Sequence, residues 1–317
     1  MQSQGQPYNN NNKVWKEFLK TFFVKRFINN QQLDTKSALA IYLEPLKRMA
    51  EPEEWGTKDL MLVNYFVHTF YALRHAQKKE PHLRYIVEYQ NRIHFNTGLI
   101  NTNSQSIYAC FNINTAPGTK GTEANPQYSI GGDNATNFFL DVHMSSHCNP
   151  LPIRCKYFND YTQLIMDGTK APAVSWMHII EENWDRLCNV LFPGQNTNDP
   201  GFKLANQYDV EIRLEGALKR ALNRVHANYR TAIPYFFKGE LQLLLPLCVR
   251  QPNKADLVLT ISRTELTPPV PGEFTYTART ILTLEMAYHN ARLIARPEND
   301  WLLVPSTIPE QSDDENN

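Results

Sequence analysis

The densest group of chemically useful side chains follows an apolar, strand-like run near the end of the chain. The run TARTILTLEM leads into Tyr288, Asn290, Arg292 and Arg296. Arginine offers a planar fork of donors that suits phosphate, and tyrosine or asparagine can orient a base or a sugar. Because binding sites commonly open where strands end, we interpret this cluster as a candidate site. No motif within it specifies a reaction.

A second group of cations lies on a strongly helical segment, residues 209–228, in which Asp209 is a residue type typical of an N-cap. Arg213, Arg220 and Arg224 follow one another at spacings of seven and four, so they share one face of that helix. Such a row suits contact with successive phosphates. The alternative is a solvated or internally paired face, which is the commoner role of a charge row on a helix.

The segment HMSSHCNPLPIRC raises the question of a metal site. His143 and His147 lie four residues apart, Cys148 is adjacent, and Cys155 follows seven residues later. Zinc accepts these ligand types. The serine pair and two prolines oppose a regular helix, however, and no CxxC pair is present. We therefore predict no metal site and interpret these residues as structural or surface side chains.

The common catalytic motifs are missing from the chain. It contains no GxSxG, no phosphate-binding P-loop, no HExxH and no GxGxxG. The GGDN run at Gly131 is typical of a turn, because no helix with a lysine follows it. If the protein is an enzyme, its catalytic residues come from segments far apart in the sequence.

Composition favours a soluble protein of a reducing compartment. The formal net charge is +0, hydrophobic residues make up 42% and charged residues 20% of the 317 positions. A neutral chain creates no global field for nucleic acid or an anionic membrane, so any such surface is a local patch. The five cysteines are scattered without a CxxC pair, which suits reduced thiols. No signal peptide and no apolar run of membrane-spanning length is visible, so we expect a cytoplasmic protein with no membrane partner.

Hydrophobic periodicity predicts an α+β fold. We expect a mainly antiparallel central sheet with an N-terminal helical layer at about 14–90 and two covering helices. The covering helices are predicted at 176–191 and 209–228. The strands are predicted at 93–99, 106–112, 241–249, 255–262 and 274–285.

The same pass along the chain predicts one globular domain over residues 13–304. The flanking tracts 1–12 and 305–317 are polar and are predicted to be disordered tails, the second of them acidic. Residues 114–136 are rich in Gly, Pro, Asn and Thr and are predicted to form a long loop. We find no internal repeat.

Six separated motifs, in order, resemble the domain-of-unknown-function family 3825. They are VHTF at 67–70, FNTGL at 95–99, NYRTAIPYF at 228–236, LQLLLPLC at 241–248, KADLVL at 254–259 and ILTLEMAYHNARLIARPENDWL at 281–302. The resemblance covers about 51–302. It implies little about function beyond an association of some members with RNA-binding modules. Glu285 stands where the family tends to have aspartate, which keeps the carboxylate and lengthens its reach.

The polar residues of these motifs and their neighbours supply the candidate site. As acid–base residues the resemblance and the chemistry of imidazole suggest His94, His68 and Glu285. The candidate ligand-binding residues are Asn96, Thr97, Arg230, Tyr288, Asn290, Arg292, Arg296, Arg213, Arg220 and Arg224. Each has a structural alternative: His68 as a buried histidine, Asn96–Thr97–Gly98 as a turn, and Glu285 as the partner of an arginine.

Three functions remain open on this basis. The first is binding or processing of a phosphate-bearing ligand, RNA or a nucleotide, through an arginine-rich cleft, with affinity that falls as salt rises. The second is a phosphodiester-processing enzyme with His and Glu as acid and base, and the third a non-catalytic scaffold. Cofactor and oligomeric state are left open. For the first two we expect one shared cleft lined by His94, Asn96, Glu285, Tyr288, Asn290 and Arg292.

Overall fold

The computed structural model describes residues 9–115, 122, 124–131, 137–237, 239–266 and 273–296. Its contacts divide the chain into two compact units, one of Met1–Lys156 with Ser306–Asn317 and one of Tyr157–Pro305. Each unit combines helices with a four-stranded antiparallel sheet, so the fold is α+β, as the sequence predicted. The prediction of a single domain over 13–304 is not decided by this grouping and stays a prediction.

The first unit opens with short elements and then builds its sheet. Its helices are α1 (Asn9–Thr21), α2 (Thr35–Tyr42), α3 (Glu44–Met49), α4 (Leu60–Lys79) and α5 (Asp141–Met144). Its strands are β1 (Phe22–Val24), β2 (Phe27–Ile28), β3 (Gln31–Gln32), β4 (Ile86–Tyr89), β5 (Arg92–Ile100), β6 (Ser106–Asn112), β7 (Tyr128–Ile130) and β8 (Asn137–Leu140). The sheet has the order β4-β5-β6-β8.

An aromatic core joins α4 to this sheet. Phe66 and Phe70 on α4 meet Phe95 of β5 with ring centroids 5.4 and 5.2 Å apart, and Phe111 of β6 stacks on Phe95 at 6.0 Å. These rings are buried on one face of the sheet. Side chains alternate between the two faces along a strand, so His94 and Asn96, which flank Phe95, face the other side of the sheet.

The second unit contains two long helices and an antiparallel meander. Its helices are α6 (Trp176–Leu191), α7 (Pro200–Ala227) and α8 (Leu284–Ala291). Its strands are β9 (Ile233–Phe237), β10 (Glu240–Leu247), β11 (Leu257–Glu265) and β12 (Phe274–Leu282), in the order β12-β11-β10-β9. Alternate leucines of β10 and β11 pack on α6 and α7 in one buried cluster, so both predicted covering helices are confirmed.

Three predictions about the elements need correction. The five predicted strands belong to two sheets, because consecutive hairpins pair locally within each unit. The long helix begins at Pro200 rather than at Asp209, because Asp199 caps it by accepting from the backbone N–H of Gly201 and proline suits the first turn. The predicted loop 114–136 contains β7, which pairs in parallel with β1.

The predicted tails fall mostly on residues that the structure does not describe. Residues 1–8 and 297–317 lie outside the described part of the chain. Within the predicted loop 114–136, residues 116–121, 123 and 132–136 also lie outside it. The helix α1 begins at Asn9, so the last residues of the predicted tail 1–12 are helical.

Candidate ligand-binding cleft

The sheet of the second unit opens at one end. β10 pairs with β11 from Leu243 to Leu247, but its first residues pair only with β9. Beyond Ile261, β11 pairs only with β12. The two hairpins therefore diverge, and a cleft of about 480 Å³ lies between the start of β10 and the end of β11. Its lining residues are Gln163, Glu240, Leu241, Gln242, Leu243, Ser262, Arg263, Thr264, Glu265 and Arg279.

A β-bulge aims Arg279 at this cleft. The pairing of β11 with β12 runs from Thr260 opposite Thr280 to Ile261 opposite Ala278, which leaves Arg279 as the extra residue. Bulges redirect a side chain and are frequent beside functional sites. The Nε of Arg279 donates to the hydroxyl of Ser262 at 3.1 Å. No carboxylate among the described residues forms an ion pair with it, so its terminal amino groups are available to a ligand.

Gln242 is the second unusual side chain of the cleft. The residue is 9% exposed, and it lines the cleft. The amide carries both a donor and an acceptor. It can therefore pair with a ligand group that offers one of each.

Of the three remaining charged residues of the cleft, Arg263 and Glu265 form a pair, and Glu240 forms no ion pair with a residue that the structure describes. Arg263 contacts Glu265 at 3.0 Å through its Nε, and its guanidinium lies 3.9 Å from the centroid of the Phe274 ring. Lys170 approaches the same ring at 4.2 Å. Phe274 thus holds two cations beside the cleft by cation–π contact. This geometry leaves Arg279 as the cleft cation best placed to meet an anion.

The chain matches the model of one known protein family. Residues 46–301 match the family described as Domain of unknown function (DUF3825). The chain belongs to this family. The comparisons with curated proteins and with solved structures gave no significant match. The resemblance predicted from the six motifs is thereby confirmed.

The arginine row of this DUF3825 member is largely engaged within its own unit. Arg220 donates to the carbonyl oxygen of Cys248 at 3.0 Å. Arg224 donates to the Cys248 Sγ at 3.3 Å and to the carbonyl oxygen of Pro252 at 2.6 Å. Arg213 pairs with Asp209 at 2.8 Å across one helical turn. The three arginines share a face, as predicted. On that face Arg220 and Arg224 also hold the segment between β10 and β11 by hydrogen bonds.

The DUF3825 motif near the C-terminus forms a helix rather than a strand end. β12 ends at Leu282, Thr283 caps α8 through its hydroxyl, and Glu285 in the first turn is exposed. Tyr288 is 1% exposed. Asn290 donates to the Met286 carbonyl oxygen at 3.2 Å, while its own buried Oδ1 has no hydrogen-bond partner in the part of the chain that the structure describes. The predicted strand 274–285 was therefore too long, because the capping threonine starts a helix.

The remaining cations of this motif region lie at helix ends. Arg292 is the C-cap residue of α8 and is partly buried, and Arg296 follows it in an exposed position. Arg230 is exposed, and its backbone N–H donates to Asn228 Oδ1 at 3.0 Å. The ligand-binding role predicted for these three arginines stays a prediction.

His94 lies on the buried second face of the sheet of the first unit. It is 0% exposed, its Nε2 is 3.9 Å from the Sγ of Cys110, and its Nδ1 has no hydrogen-bond partner among the described residues. Burial, with smaller contributions from Arg92 and His147, lowers the pKa of His94 to about 4. The imidazole is therefore neutral at physiological pH and has no access to solvent, which suits a packed residue better than a proton shuttle.

Asn96 and Thr97 stabilise an irregularity in β5. The Asn96 Oδ1 accepts from the N–H of Gly98 at 2.9 Å. The Thr97 hydroxyl donates to the Ile107 carbonyl oxygen at 2.7 Å and accepts from the N–H of Leu99. The β5–β6 register shifts at this point. These contacts match the structural alternative, a turn-like segment, given for these residues.

His68 is a buried residue of α4. It is 8% exposed, and burial lowers its pKa to about 4. His68 and His94 belong to the first unit, and Glu285, Tyr288 and Arg292 to the second. The expected convergence of the two groups in one cleft therefore stays a prediction.

In the part of the chain that the structure describes, no group of three or more His, Cys, Asp or Glu side chains is arranged to hold a metal ion. His147 instead approaches Arg92, with 3.5 Å between Nδ1 and Nη1, and its ring is tilted against that of Phe139 with the centroids 5.2 Å apart. No helix of the described residues combines the length and the apolar character needed to cross a membrane.

Sequence reasoning missed the cleft residues Gln242, Ser262 and Arg279. All three belong to segments that were correctly assigned to strands, and Gln242 lies within the LQLLLPLC motif. One signal was present: a glutamine and an arginine interrupt otherwise apolar or threonine-rich strands. The bulge that aims Arg279 depends on pairing between strands and leaves no local mark in the sequence.

Proposed function

We propose that this protein binds a small phosphate-bearing ligand of nucleotide size in the cleft between the two hairpins of its second unit. The single observation that carries the proposal is Arg279, a cation aimed at the cleft by a bulge and without an ion-pair partner among the described residues. Its Nε is held by Ser262, so the guanidinium is oriented before a ligand arrives. Preorientation reduces the entropy lost on binding.

The size and the polarity of the cleft favour a nucleotide over inorganic phosphate. Ligand sites commonly measure about 300–1,000 Å³, and this cleft, at about 480 Å³, falls within that range. Gln242 offers a donor and an acceptor side by side, the pattern that the edge of a nucleobase requires. Arg279 then contacts the phosphate, and the hydroxyls of Ser262 and Thr264 supply further polar contacts.

The geometry of α7 supports a small ligand rather than a polyanion lying along its arginines. Arg220 and Arg224 already donate to the turn that follows β10, and Arg213 is paired. A polyanion would have to displace those bonds before it gained from each cation. RNA binding along α7 is therefore an outcome that the experiment must distinguish from nucleotide binding in the cleft.

Isothermal titration calorimetry with AMP, ADP, ATP, adenosine, inorganic phosphate and a short single-stranded RNA tests the proposal. We expect at least one nucleotide to bind, and Arg279→Gln to weaken it by about 10- to 100-fold, the effect of one charged hydrogen bond. Arg250→Gln is the matched control, because Arg250 is exposed in the same unit and does not line the cleft.

Two results would overturn the proposal. One is a parent protein that binds no nucleotide of the panel. The other is equal affinity in the parent and in Arg279→Gln. If only the RNA binds, and Arg220→Ala with Arg224→Ala abolishes that binding, the ligand surface is α7.

A further inference from the structure

Two helices of the first unit bring cations to one surface. α1 packs on α4 through Phe18, whose ring centroid lies 6.2 Å from that of Phe66 and 5.9 Å from that of Phe70. Arg74 of α4 donates to the Thr21 hydroxyl at the end of α1, at 2.7 Å. Both helices carry further cations around this contact. The α1/α4 basic patch consists of six residues, Lys13, Lys16 and Lys20 of α1 with Arg74, Lys78 and Lys79 of α4.

Two titratable side chains show that the cations of the two helices lie near one another. A hydrogen bond from Lys20 lowers the pKa of Glu17 on α1, and the charge of Lys78 on α4 lowers it further. Burial lowers the pKa of His75 on α4, and lysines of both helices, Lys13 among them, add to that effect. Each group therefore senses cations of the other helix, as the contact between Arg74 and Thr21 requires.

The patch has few carboxylates to compensate its charge. Glu17 pairs with Lys20 at 2.8 Å, and the other five cations of the patch form no ion pair with a residue that the structure describes. Glu80 follows the patch in the sequence, but it accepts a hydrogen bond from the Tyr85 hydroxyl at 2.6 Å. The formal charge of the whole chain is +0, so this positive field is local.

The dipoles of the helices account for only part of the patch. Cations are favourable at the C-terminal end of a helix, where Lys78 and Lys79 lie in α4. Lys13 lies in the first half of α1, where the dipole gives no such advantage. Like charges brought together on two packed helices repel each other, and a bound anion would remove that repulsion.

A small cavity opens beside the patch. Its volume is about 150 Å³, and it is lined by Arg74, Gln77, Lys78, Ile86, Glu88 and Ile93. Two cations and one carboxylate make this lining net positive. The Gln77 amide is engaged by backbone groups of the segment that follows α4. The cavity is smaller than the roughly 300–1,000 Å³ of typical ligand sites, so it suits one phosphate group rather than a whole nucleotide.

We propose that the α1/α4 basic patch binds a linear chain of phosphate groups. Lys13 and Lys20 are seven residues apart and lie about 10 Å apart along α1, and Lys78 continues the patch onto α4. One phosphate cannot contact cations so widely spaced, whereas successive groups of a chain can. A nucleic-acid strand and inorganic polyphosphate share this chemistry. The patch belongs to the first unit, so the proposal is independent of the cleft in the second.

An anionic membrane is another common partner of a lysine-rich helix, and the structure favours it less. Helices that lie on membranes insert an apolar face next to their lysines. The apolar face of α1 is covered within the unit, with Trp15 at 9% and Phe18 at 1% exposure. Among residues 13–21 Leu19 is the one exposed large apolar side chain, at 37%. Binding to vesicles is therefore an outcome that the experiment must distinguish.

Fluorescence anisotropy of labelled oligo(dT) of about 15 nucleotides with the full chain tests the proposal. We expect a Kd in the micromolar range at about 50 mM salt, and an affinity that falls about 50-fold by about 200 mM, as expected for four to five single-strand phosphate contacts. Unlabelled inorganic polyphosphate should displace the oligonucleotide. Polyglutamate and phosphatidylserine vesicles are the arms that represent an acidic protein segment and a membrane.

Substitutions on both helices test the location. Lys16→Gln and, separately, Lys78→Gln should each weaken binding about threefold to tenfold and reduce the salt slope by about 0.7, the effect of one single-strand phosphate contact. Lys58→Gln is the matched control, because Lys58 is an exposed lysine just before α4 and the helix length of about 30 Å separates it from Lys78. All three lysines are exposed, so the far-UV circular dichroism should not change.

Four results would overturn the proposal. Neither oligo(dT) nor polyphosphate binds; Lys78→Gln has no more effect than Lys58→Gln; polyglutamate or vesicles bind at least as tightly as the phosphate chains; or Arg220→Ala with Arg224→Ala abolishes binding, which would assign the ligand to α7. Each of these results can occur whether or not a nucleotide binds in the cleft. The calorimetric outcome for Arg279→Gln is therefore interpreted separately.

Discussion

The guanidinium of Arg224 donates a 2.6 Å hydrogen bond to the carbonyl oxygen of Pro252 and so ties the last turns of α7 to the segment that links β10 and β11. A second bond, to the Sγ of Cys248, strengthens the same connection. Arginine at this position satisfies groups that a connecting segment cannot pair within a helix or sheet. The residue therefore has a structural role whether or not it also meets a ligand.

Arg224→Ala should lower the free energy of unfolding by about 1–3 kcal/mol, the usual cost of losing hydrogen bonds from a charged group. Urea denaturation followed by circular dichroism measures this change. Arg213→Ala is the control, because its exposed pair with Asp209 should contribute no more than about 1 kcal/mol. Equal and small effects of both substitutions would contradict the structural role of Arg224 and return it to the candidate ligand surface.

Gly98→Ala should destabilise the first unit by on the order of 2–4 kcal/mol, from backbone strain and overpacking together. Gly98 has a φ of +79°, and an added Cβ would lie 2.5 Å from the Tyr65 hydroxyl oxygen. That hydroxyl donates to the Thr97 carbonyl oxygen at 2.9 Å, so it is not free to move. Thermal or urea unfolding measures the loss.

Gly194→Ala separates the two causes. Gly194 has nearly the same φ, +80°, but an added Cβ would meet nothing within 4 Å. It should therefore cost only the strain of the left-handed backbone, about 1 kcal/mol. If Gly98→Ala costs no more than Gly194→Ala, the close approach of Tyr65 does not contribute to stability.

Stability should fall as the pH falls from about 6.5 to about 4. His94 and His68 both have their pKa lowered from 6.5 to about 4, chiefly by burial. In this interval the unfolded chain binds protons that the folded chain does not, so protonation favours unfolding. Each histidine contributes on the order of 3 kcal/mol to the change, and the full stability is present above pH 6.5.

Unfolding of His94→Gln across that pH range tests the assignment. The pH dependence of its free energy of unfolding should be shallower than that of the parent, whatever its stability at pH 7. His82→Gln, a change at an exposed histidine, should leave the dependence unaltered. A parent slope that His94→Gln does not reduce would show that the buried imidazole is not a source of the acid sensitivity.

Gln242→Leu should weaken nucleotide binding by about tenfold with little change in the free energy of unfolding. Gln242 lines the cleft, so an apolar side chain of similar size removes the donor and the acceptor offered to a ligand and keeps the packing volume. This expectation rests on the proposed function. Calorimetry and urea unfolding of the same preparation measure both quantities, and a destabilised variant with unchanged affinity would contradict it.

The sequence by itself determined the class and most of the elements. Periodicity placed β5, β6, β10 and β11 within a few residues and gave the bounds of α6, because burial of one face imposes a local repeat on the chain. It also showed that Arg213, Arg220 and Arg224 share a helix face. The six motifs were enough to identify the DUF3825 family.

Only the tertiary structure decided what those side chains contact. Arg220 and Arg224 bond to atoms 28 residues further along the chain, and Arg279 meets Ser262 across two paired strands. Such partners depend on which strands pair and in which register, and a bulge changes the register without any local repeat to mark it. The sequence carries face and element type in its spacing, whereas long-range hydrogen-bond partners and the cleft exist only once the strands have paired.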